Sequence, residues 1–222
     1  MIHPLSTLIL GFFLGLTHAL EADHLIAVST MLTTSKNPLK AMLVGMFWGI
    51  GHTTTLFLVG LIVLVLHVSI PESVNTGLEG LVGIMLIFLG ISTLRRKTQS
   101  LHEHEHAHTD GDKHTHLHAN HTHRHHRSFL IGTIHGLAGS GVLMVLVLST
   151  INSVLQGIIY IILFGAGSIA GMSVMSLLFG LPVRYSHRFE RINQVLHVLL
   201  GFVSVGFGGF VLYETLTALQ IL

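Results

Sequence analysis

The residues best suited to chemistry within an apolar segment are His18, Glu21, Asp23 and His24, which fall within seven positions of one another. If this segment crosses a membrane, an aspartate near its centre costs about 2.5–3.5 kcal/mol on insertion scales, and a second acid adds to that cost. A divalent cation would neutralise two carboxylates, and neutral imidazoles would complete its coordination shell. The cluster therefore predicts a buried metal site. The alternative is a set of polar groups that hydrogen-bond neighbouring helices.

Helix geometry limits how these four residues can act together. At about 100° per residue, His18, Glu21 and His24 share one stripe of a regular helix, whereas Asp23 lies on the side opposite Glu21. One straight helix cannot direct all four side chains at one ion. Two possibilities remain: the helix is broken near Ala19–Ala22, as in many transporter sites, or one of the acids has another role.

Two further histidines lie in other apolar segments. His52 is expected at a depth similar to that of His18, and His135 nearer the cytoplasmic face; each is either a metal ligand or a hydrogen-bonded structural histidine. Met172 and Met175 are interpreted as core methionines. A set of imidazole and carboxylate ligands suits Ni, Co, Zn or Mn, and the absence of cysteine disfavours Cu(I).

The amino terminus offers a separate metal site. The α-amine of Met1, two backbone amides and the imidazole of His3 could form a square-planar site of four nitrogens, which favours Ni(II) or Cu(II). The alternative is that His3 stands at the end of a span by chance.

A histidine-rich tract lies between residues 102 and 126, where eleven of 25 residues are histidine. Acids are interleaved with these histidines, and the tract lacks the regular spacing of a structural zinc site. This composition is typical of a flexible metal-binding segment. We expect it to buffer metal or to pass it on.

The amino-acid composition indicates what kind of protein holds these residues. Charged residues make up 9% of the chain, against roughly 25% in soluble domains, and the mean hydropathy is +0.72. These values exclude a soluble enzyme, a disordered chain and a nucleic-acid binder, and the lack of cysteine excludes disulfide and thiol chemistry. The sequence predicts an all-α, polytopic membrane protein with six transmembrane helices. The six predicted spans are 5–31, 41–66, 78–94, 129–150, 157–181 and 194–217.

All eleven lysines and arginines fall in three connections, 32–40, 95–128 and 182–193. Because cytoplasmic loops carry an excess of lysine and arginine, both termini are predicted to face outside and the histidine-rich loop to face the cytoplasm. We expect a multi-pass protein of the inner (plasma) membrane, surrounded by the lipid bilayer and without a nucleic-acid partner.

The two halves of the sequence match at an offset of 116 to 118 residues. The matched pairs include His18 with His135, Gly51 with Gly167, and Gly83 with Gly201. Two three-helix repeats, 1–94 and 129–222, would be joined by the loop 95–128, and an odd number of helices makes such repeats inverted. Ser168 stands where the first half has His52, so the metal site is expected to depend mainly on the first half.

The spacing of His18, four residues, then Asp23 and His24, with a Gly-His-Thr triplet around His52 in the next span, resembles the signature of the nickel/cobalt transporter family. The resemblance is strongest to its short urease-accessory-type nickel permeases. It implies secondary transport of Ni²⁺ or Co²⁺ through a helical bundle, with the ligands of the family at these four positions. It covers the first two spans well and the remainder loosely.

We therefore expect a permease that imports Ni²⁺ or Co²⁺ as its substrate, with no resident cofactor and no enzymatic activity. Glu21 would assist charge balance, and the histidine-rich loop would hand metal to a cytoplasmic nickel chaperone. Two alternatives stay open: efflux through the same fold, and an intramembrane zinc hydrolase that holds water in an open coordination position. A metal sensor is a third, and would require a signalling partner.

Overall fold

The computed structural model describes residues 4–33, 37–66, 68, 70–96, 121–137, 153–186 and 188–221. Across these residues the regular structure is entirely helical, as the sequence predicts. The helices are α1 (Pro4–His18), α2 (Ala22–Leu32), α3 (Pro38–Leu66), α4 (Glu72–Arg96), α5 (His121–Gly136), α6 (Val154–Ser186) and α7 (Glu190–Ala218).

The described helices are those of a multi-pass membrane protein. Four of them, α3, α4, α6 and α7, are each long and apolar enough to cross a membrane, and the pair α1 and α2 makes a fifth candidate span if the two count as one. The predicted span 129–150 coincides with α5 as far as Gly136, and its residues 138–150 lie outside the described part of the chain. Six spans therefore stay a prediction.

The first predicted span, 5–31, is not one continuous helix. Helix α1 ends at His18, α2 begins at Ala22, and the two helices are bent by 55° at the break. The backbone N–H of Leu20 donates to the carbonyl of Thr17 (2.9 Å) and that of Glu21 to His18 (3.1 Å), which closes α1 with a tight final turn. Glu21 itself is extended, with φ −61° and ψ 148°. The helix is thus broken where the polar cluster lies.

Close packing of the helices depends on glycines in α3 and α6. Helix α3 packs against α5 and α6, α1 packs against α6, and α4 packs against α7. A methyl group added at Gly51 of α3 would overlap the carbonyl of Phe129 in α5, and one added at Gly167 of α6 would overlap the carbonyl of Phe12 in α1. Glycine therefore lets these backbones touch.

Helix α2 packs into the apolar core that is shared by α3 and α4. Its buried residues Ala27, Val28 and Leu32 belong to the same apolar cluster as Leu86 of α4 and Trp48 of α3. Because α2 bends away from α1 at the break, it reaches α4 and α7 as well as α6. The polar residues of the break consequently lie at the junction of several helices.

The helix that follows the predicted loop begins before the predicted span 129–150. Helix α5 begins at His121, so the final residues of the predicted loop 95–128 continue directly into the helix that ends at Gly136. Residues 97–120, which hold most of the histidine-rich tract, lie outside the described part of the chain.

Candidate metal centre

Four imidazoles converge on one buried site although they come from four different helices. They are His18 of α1, His24 of α2, His52 of α3 and His135 of α5. His18 is 3% exposed, and the other three are fully buried. The ring centroids of His24 and His135 are 4.2 Å apart, and those of His52 and His135 are 5.8 Å apart. The structure thus brings together every histidine that the sequence analysis selected within the apolar segments.

The break between α1 and α2 places the first two rings. His18 is the last residue of α1 and His24 lies in the first turn of α2, so the bend brings their ring centroids to 4.4 Å. Close contact between α3 and α5 places the other two. A methyl group added at Gly136 would overlap the carbonyl of His52, so the glycine allows His52 and the adjacent His135 to face the same space.

Asp23 connects two of the imidazoles through its carboxylate. Oδ1 accepts hydrogen bonds from His24 Nδ1 at 2.9 Å and from the His24 backbone N–H at 2.8 Å. Oδ2 accepts from His135 Nε2 at 2.9 Å. Asp23 lies opposite Glu21 on a straight helix, and it reaches this site because α2 starts anew at Ala22. Its side chain is 24% exposed, so the carboxylate forms the accessible edge of the site.

Glu21 has a different role from Asp23. Its Oε1 accepts a hydrogen bond from His18 Nδ1 at 2.8 Å, and its side chain is 38% exposed. With Nδ1 protonated, His18 presents the lone pair of Nε2 to the site, where His52 Nε2 lies 3.1 Å away. A carboxylate that orients a ligating imidazole is common around protein metal sites. Glu21 thus acts on His18, and it belongs to neither of the donor groups described next.

The donor atoms form two overlapping groups. One consists of His18, His24 and His52, and the other of Asp23, His24 and His135; within each group the donor atoms lie within 4.8 Å of one another. His24 belongs to both groups. The first offers only imidazole nitrogen, and the second adds a carboxylate oxygen.

Three ring nitrogens at the site are buried and have no hydrogen-bond partner among the described residues: His24 Nε2, His52 Nδ1 and His135 Nδ1. A buried polar atom without a partner costs about 1–3 kcal/mol. An imidazole lone pair is also the usual nitrogen ligand for Ni, Co and Zn. The arrangement is therefore suited to binding a transition-metal ion, which such lone pairs can coordinate.

Two aromatic side chains line the site and were not predicted from the sequence. The Trp48 ring centroid lies 5.5 Å from that of His24 and 5.4 Å from that of His135. Phe164 of α6 lies 5.6 Å from His18. Trp48 precedes His52 by one helical turn, and that i, i+4 spacing on a shared face is the signal that could have identified it.

Two further predicted metal ligands, Met1 and His3, belong to the amino terminus. Met1 and His3 lie outside the described residues, so the predicted amino-terminal site stays a prediction. Met172 is buried in the apolar core, as expected for a core methionine.

Comparison with known proteins relates the chain to one protein family and to several curated relatives. Residues 58–209, more than half of the chain, match the family described as "Cytochrome C biogenesis protein transmembrane region". The chain itself contains no cysteine. No solved structure is significantly similar to it.

Curated relatives cover most of the chain. The urease accessory protein UreH of Bacillus sp. (strain TB-90) is 40% identical over 210 residues, which are 95% of this chain and 92% of the relative. The Arabidopsis thaliana chloroplast proteins FOR GROWTH AND FERTILITY 2 and 1 are 25% and 24% identical over 89% of this chain. The matched region is 54% and 56% of those two plant proteins, so the chain spans about half their length. The chain therefore belongs to the cytochrome c biogenesis protein transmembrane region family and is a homologue of the urease accessory protein UreH.

Proposed function

We propose that this protein is a secondary membrane transporter that carries Ni²⁺ or Co²⁺ into the cell through the buried histidine and aspartate site. The observation that carries the proposal is the convergence of four buried imidazoles and Asp23 from four helices, with three ring nitrogens unpaired among the described residues. Ionisable residues inside membrane segments are costly, and they commonly mark the path of a substrate.

The ligand types select the class of ion. Imidazole nitrogen together with one carboxylate suits Ni²⁺, Co²⁺ and Zn²⁺, whereas Mg²⁺ and Ca²⁺ require shells made of oxygen. Copper(I) prefers thiolate and thioether ligands, and the chain has no cysteine. The name of the Bacillus relative connects that protein with urease and suggests a nickel-related role. Nickel is accordingly the substrate that we test first.

The hydrogen bonds of the carboxylates favour transport over hydrolysis. A zinc hydrolase needs a general base beside a metal-bound water. Glu21 is engaged by His18 Nδ1, and both oxygens of Asp23 accept hydrogen bonds from imidazoles. Within the described residues, Glu21 and Asp23 are thus each hydrogen-bonded to an imidazole, which favours roles in orienting or ligating over that of a base.

Reciprocal helix contacts support an architecture of two inverted repeats. The contact of Gly51 with Phe129 corresponds to that of Gly167 with Phe12 at the offset of the predicted repeat. Helices α4 and α7 show the same correspondence, because Gly208 meets the carbonyl of Gly83, and Gly90, its equivalent in the repeat, meets the carbonyl of Gly201. We infer that His18 and His135 are equivalent residues of the two repeats. Inverted repeats place a substrate site near the middle of the membrane, between the halves.

Import is the direction that the membrane potential favours. Moving two positive charges inward gains about 4.6 kcal/mol per 100 mV, so uptake requires no nucleotide hydrolysis. The distribution of lysine and arginine favours a cytoplasmic histidine-rich loop, which would receive the ion and supply a nickel chaperone.

Accumulation of radiolabelled nickel tests both the function and its direction. Cells that express the wild-type chain would be compared with cells that express His24→Ala and His197→Ala at equal abundance. His197 is the matched control, because its Nδ1 donates to the carbonyl of Asn193 within its own helix, α7. We expect accumulation above that of empty cells, which is lost in His24→Ala and kept in His197→Ala.

Accumulation below that of empty cells would establish export and overturn the proposed direction. Equal accumulation in all cells would reject nickel as the substrate; the same comparison with Co²⁺ and Zn²⁺ would then follow. Turnover of a peptide or lipid by the zinc-loaded protein would favour a hydrolase instead.

A further inference from the structure

We propose that the ion occupies two successive positions that share His24 as a common ligand. The accessible position is formed by Asp23, His24 and His135, and the occluded position by His18, His24 and His52. The inference rests on the proposed transport function, and it describes how the ion would move through the site.

The distances make such a transfer short. The His24 ring centroid lies 4.4 Å from that of His18 and 4.2 Å from that of His135. An ion held by His24 can therefore exchange Asp23 and His135 for His18 and His52 without leaving that ligand. His24 Nε2 is buried and has no partner in the described part of the chain, so one lone pair is available for this purpose.

Only one ion fits at a time. The two positions share His24, and a neutral imidazole has one nitrogen lone pair, so His24 can bind only one ion at a time. The two groups are consequently alternative positions of one ion, and the protein should bind one equivalent of metal.

Burial sets the order of the two positions. The Asp23 side chain is 24% exposed, so an ion reaches the group that contains it from outside the site. The three residues of the other group are exposed by 3% or less, and a hydrogen bond to Glu21 fixes His18 among them. The ion would thus enter or leave at Asp23, and it would be enclosed among the three imidazoles.

The occluded position would also select the ion. Three neutral imidazoles offer no oxygen ligand, so Mg²⁺ and Ca²⁺, which can associate with the carboxylate of Asp23, gain nothing from moving inward. A transition-metal ion exchanges one suitable ligand set for another. Rejection of the abundant hard cations would therefore occur in the second step.

The test uses the purified full-length chain in lipid nanodiscs with Co²⁺ as the probe. Trp48 is the only tryptophan, and it lies 5.5 Å from His24 and 5.4 Å from His135, so its fluorescence can report the binding of metal in rapid mixing. His52→Ala removes a donor from the occluded position, and His135→Ala removes one from the accessible position. His197→Ala is the control for loss of a histidine elsewhere.

We expect the wild-type chain to bind one Co²⁺. His52→Ala should bind Co²⁺ as fast as the wild type but release it at least tenfold faster, because the enclosing position is lost. His135→Ala should bind at least tenfold more slowly, because the entry position is lost. Each variant should retain less than a tenth of the Co²⁺ flux in proteoliposomes, and the double variant should show no saturable binding.

Binding of two Co²⁺ ions to the wild-type chain would overturn the proposal, as would identical kinetic changes in the two variants or full flux in either one. If an alanine variant does not fold, His52→Gln and His135→Gln provide the same comparison. The number of Co²⁺ ions bound is measured on the wild-type chain alone. A wild-type chain that shows the expected binding kinetics without any flux would reject transport but leave the two positions intact.

Discussion

Asp23 and His135 are separated by 112 positions in the sequence, yet Asp23 Oδ2 accepts a hydrogen bond from His135 Nε2 at 2.9 Å. The other oxygen of the same carboxylate accepts from His24. One carboxylate thus ties the segment that follows the helix break to a helix of the second half of the chain. The candidate metal centre is therefore formed by both halves, although the sequence of the second half carries few polar residues.

Replacing Asp23 with asparagine should weaken metal binding by about 10- to 100-fold, the usual effect of losing a carboxylate partner around a metal site. The amide oxygen can still accept one hydrogen bond, but the negative charge and the second acceptor are lost. Titration of the purified variant with Ni²⁺ in nanodiscs measures the change in Kd. An unchanged Kd would show that Asp23 has only a structural role.

Changes at Glu21 distinguish orientation of His18 from charge balance. In Glu21→Gln the amide oxygen can still accept a hydrogen bond from His18 Nδ1, whereas in Glu21→Ala no acceptor remains. We expect Glu21→Ala to raise the Kd for Ni²⁺ by about tenfold or more, and Glu21→Gln to change it much less. Equal losses in the two variants would indicate that the negative charge of Glu21 is what matters.

A substitution at Gly51 should damage both the fold and the site. The larger side chain of Gly51→Val would overlap the backbone of Phe129 and force α3 away from α5, at a cost of about 1–3 kcal/mol for overpacking. Gly206→Val is the matched control, since an added Cβ there meets no atom within 4 Å. Thermal unfolding in detergent should show a lower midpoint for Gly51→Val, with weaker nickel binding, and a wild-type midpoint for Gly206→Val. Wild-type behaviour of Gly51→Val would contradict the close contact of the helices.

Deletion of residues 102–120 should lower the efficiency of nickel uptake but leave it measurable. This deletion removes most of the histidine-rich tract and preserves α5 from His121 onward. A Gly/Ser segment of equal length in place of 102–120 separates loss of the histidines from shortening of the connection. Complete loss of uptake in a folded Gly/Ser variant would show that the histidines of the tract are required for transport.

Residue types alone predicted several parts of this structure correctly. The scarcity of charge predicted a helical membrane protein, because 9% charged residues are too few for the surface of a soluble protein. The acids and histidines around His18 predicted a buried polar centre, since an isolated ionisable side chain within a membrane span is energetically costly.

Other features depended on the tertiary structure. The sequence left open whether the first span is broken, because periodicity shows the faces of a helix but not the point at which it ends. Glu21 and Asp23 looked alike as carboxylates, yet one orients His18 and the other bridges His24 and His135. Their roles differ because the chain changes direction between them.

By itself, the sequence determined the membrane environment and the types of the candidate ligand residues, since these follow from the chemistry of each residue and its nearest neighbours. Only the tertiary structure decided that His135 joins the site, that Trp48 lines it, and that His24 is shared by two donor groups. Those relationships join residues that are distant in the chain. They depend on the 55° bend between α1 and α2 and on the close approach of α3 and α5, which no local pattern encodes.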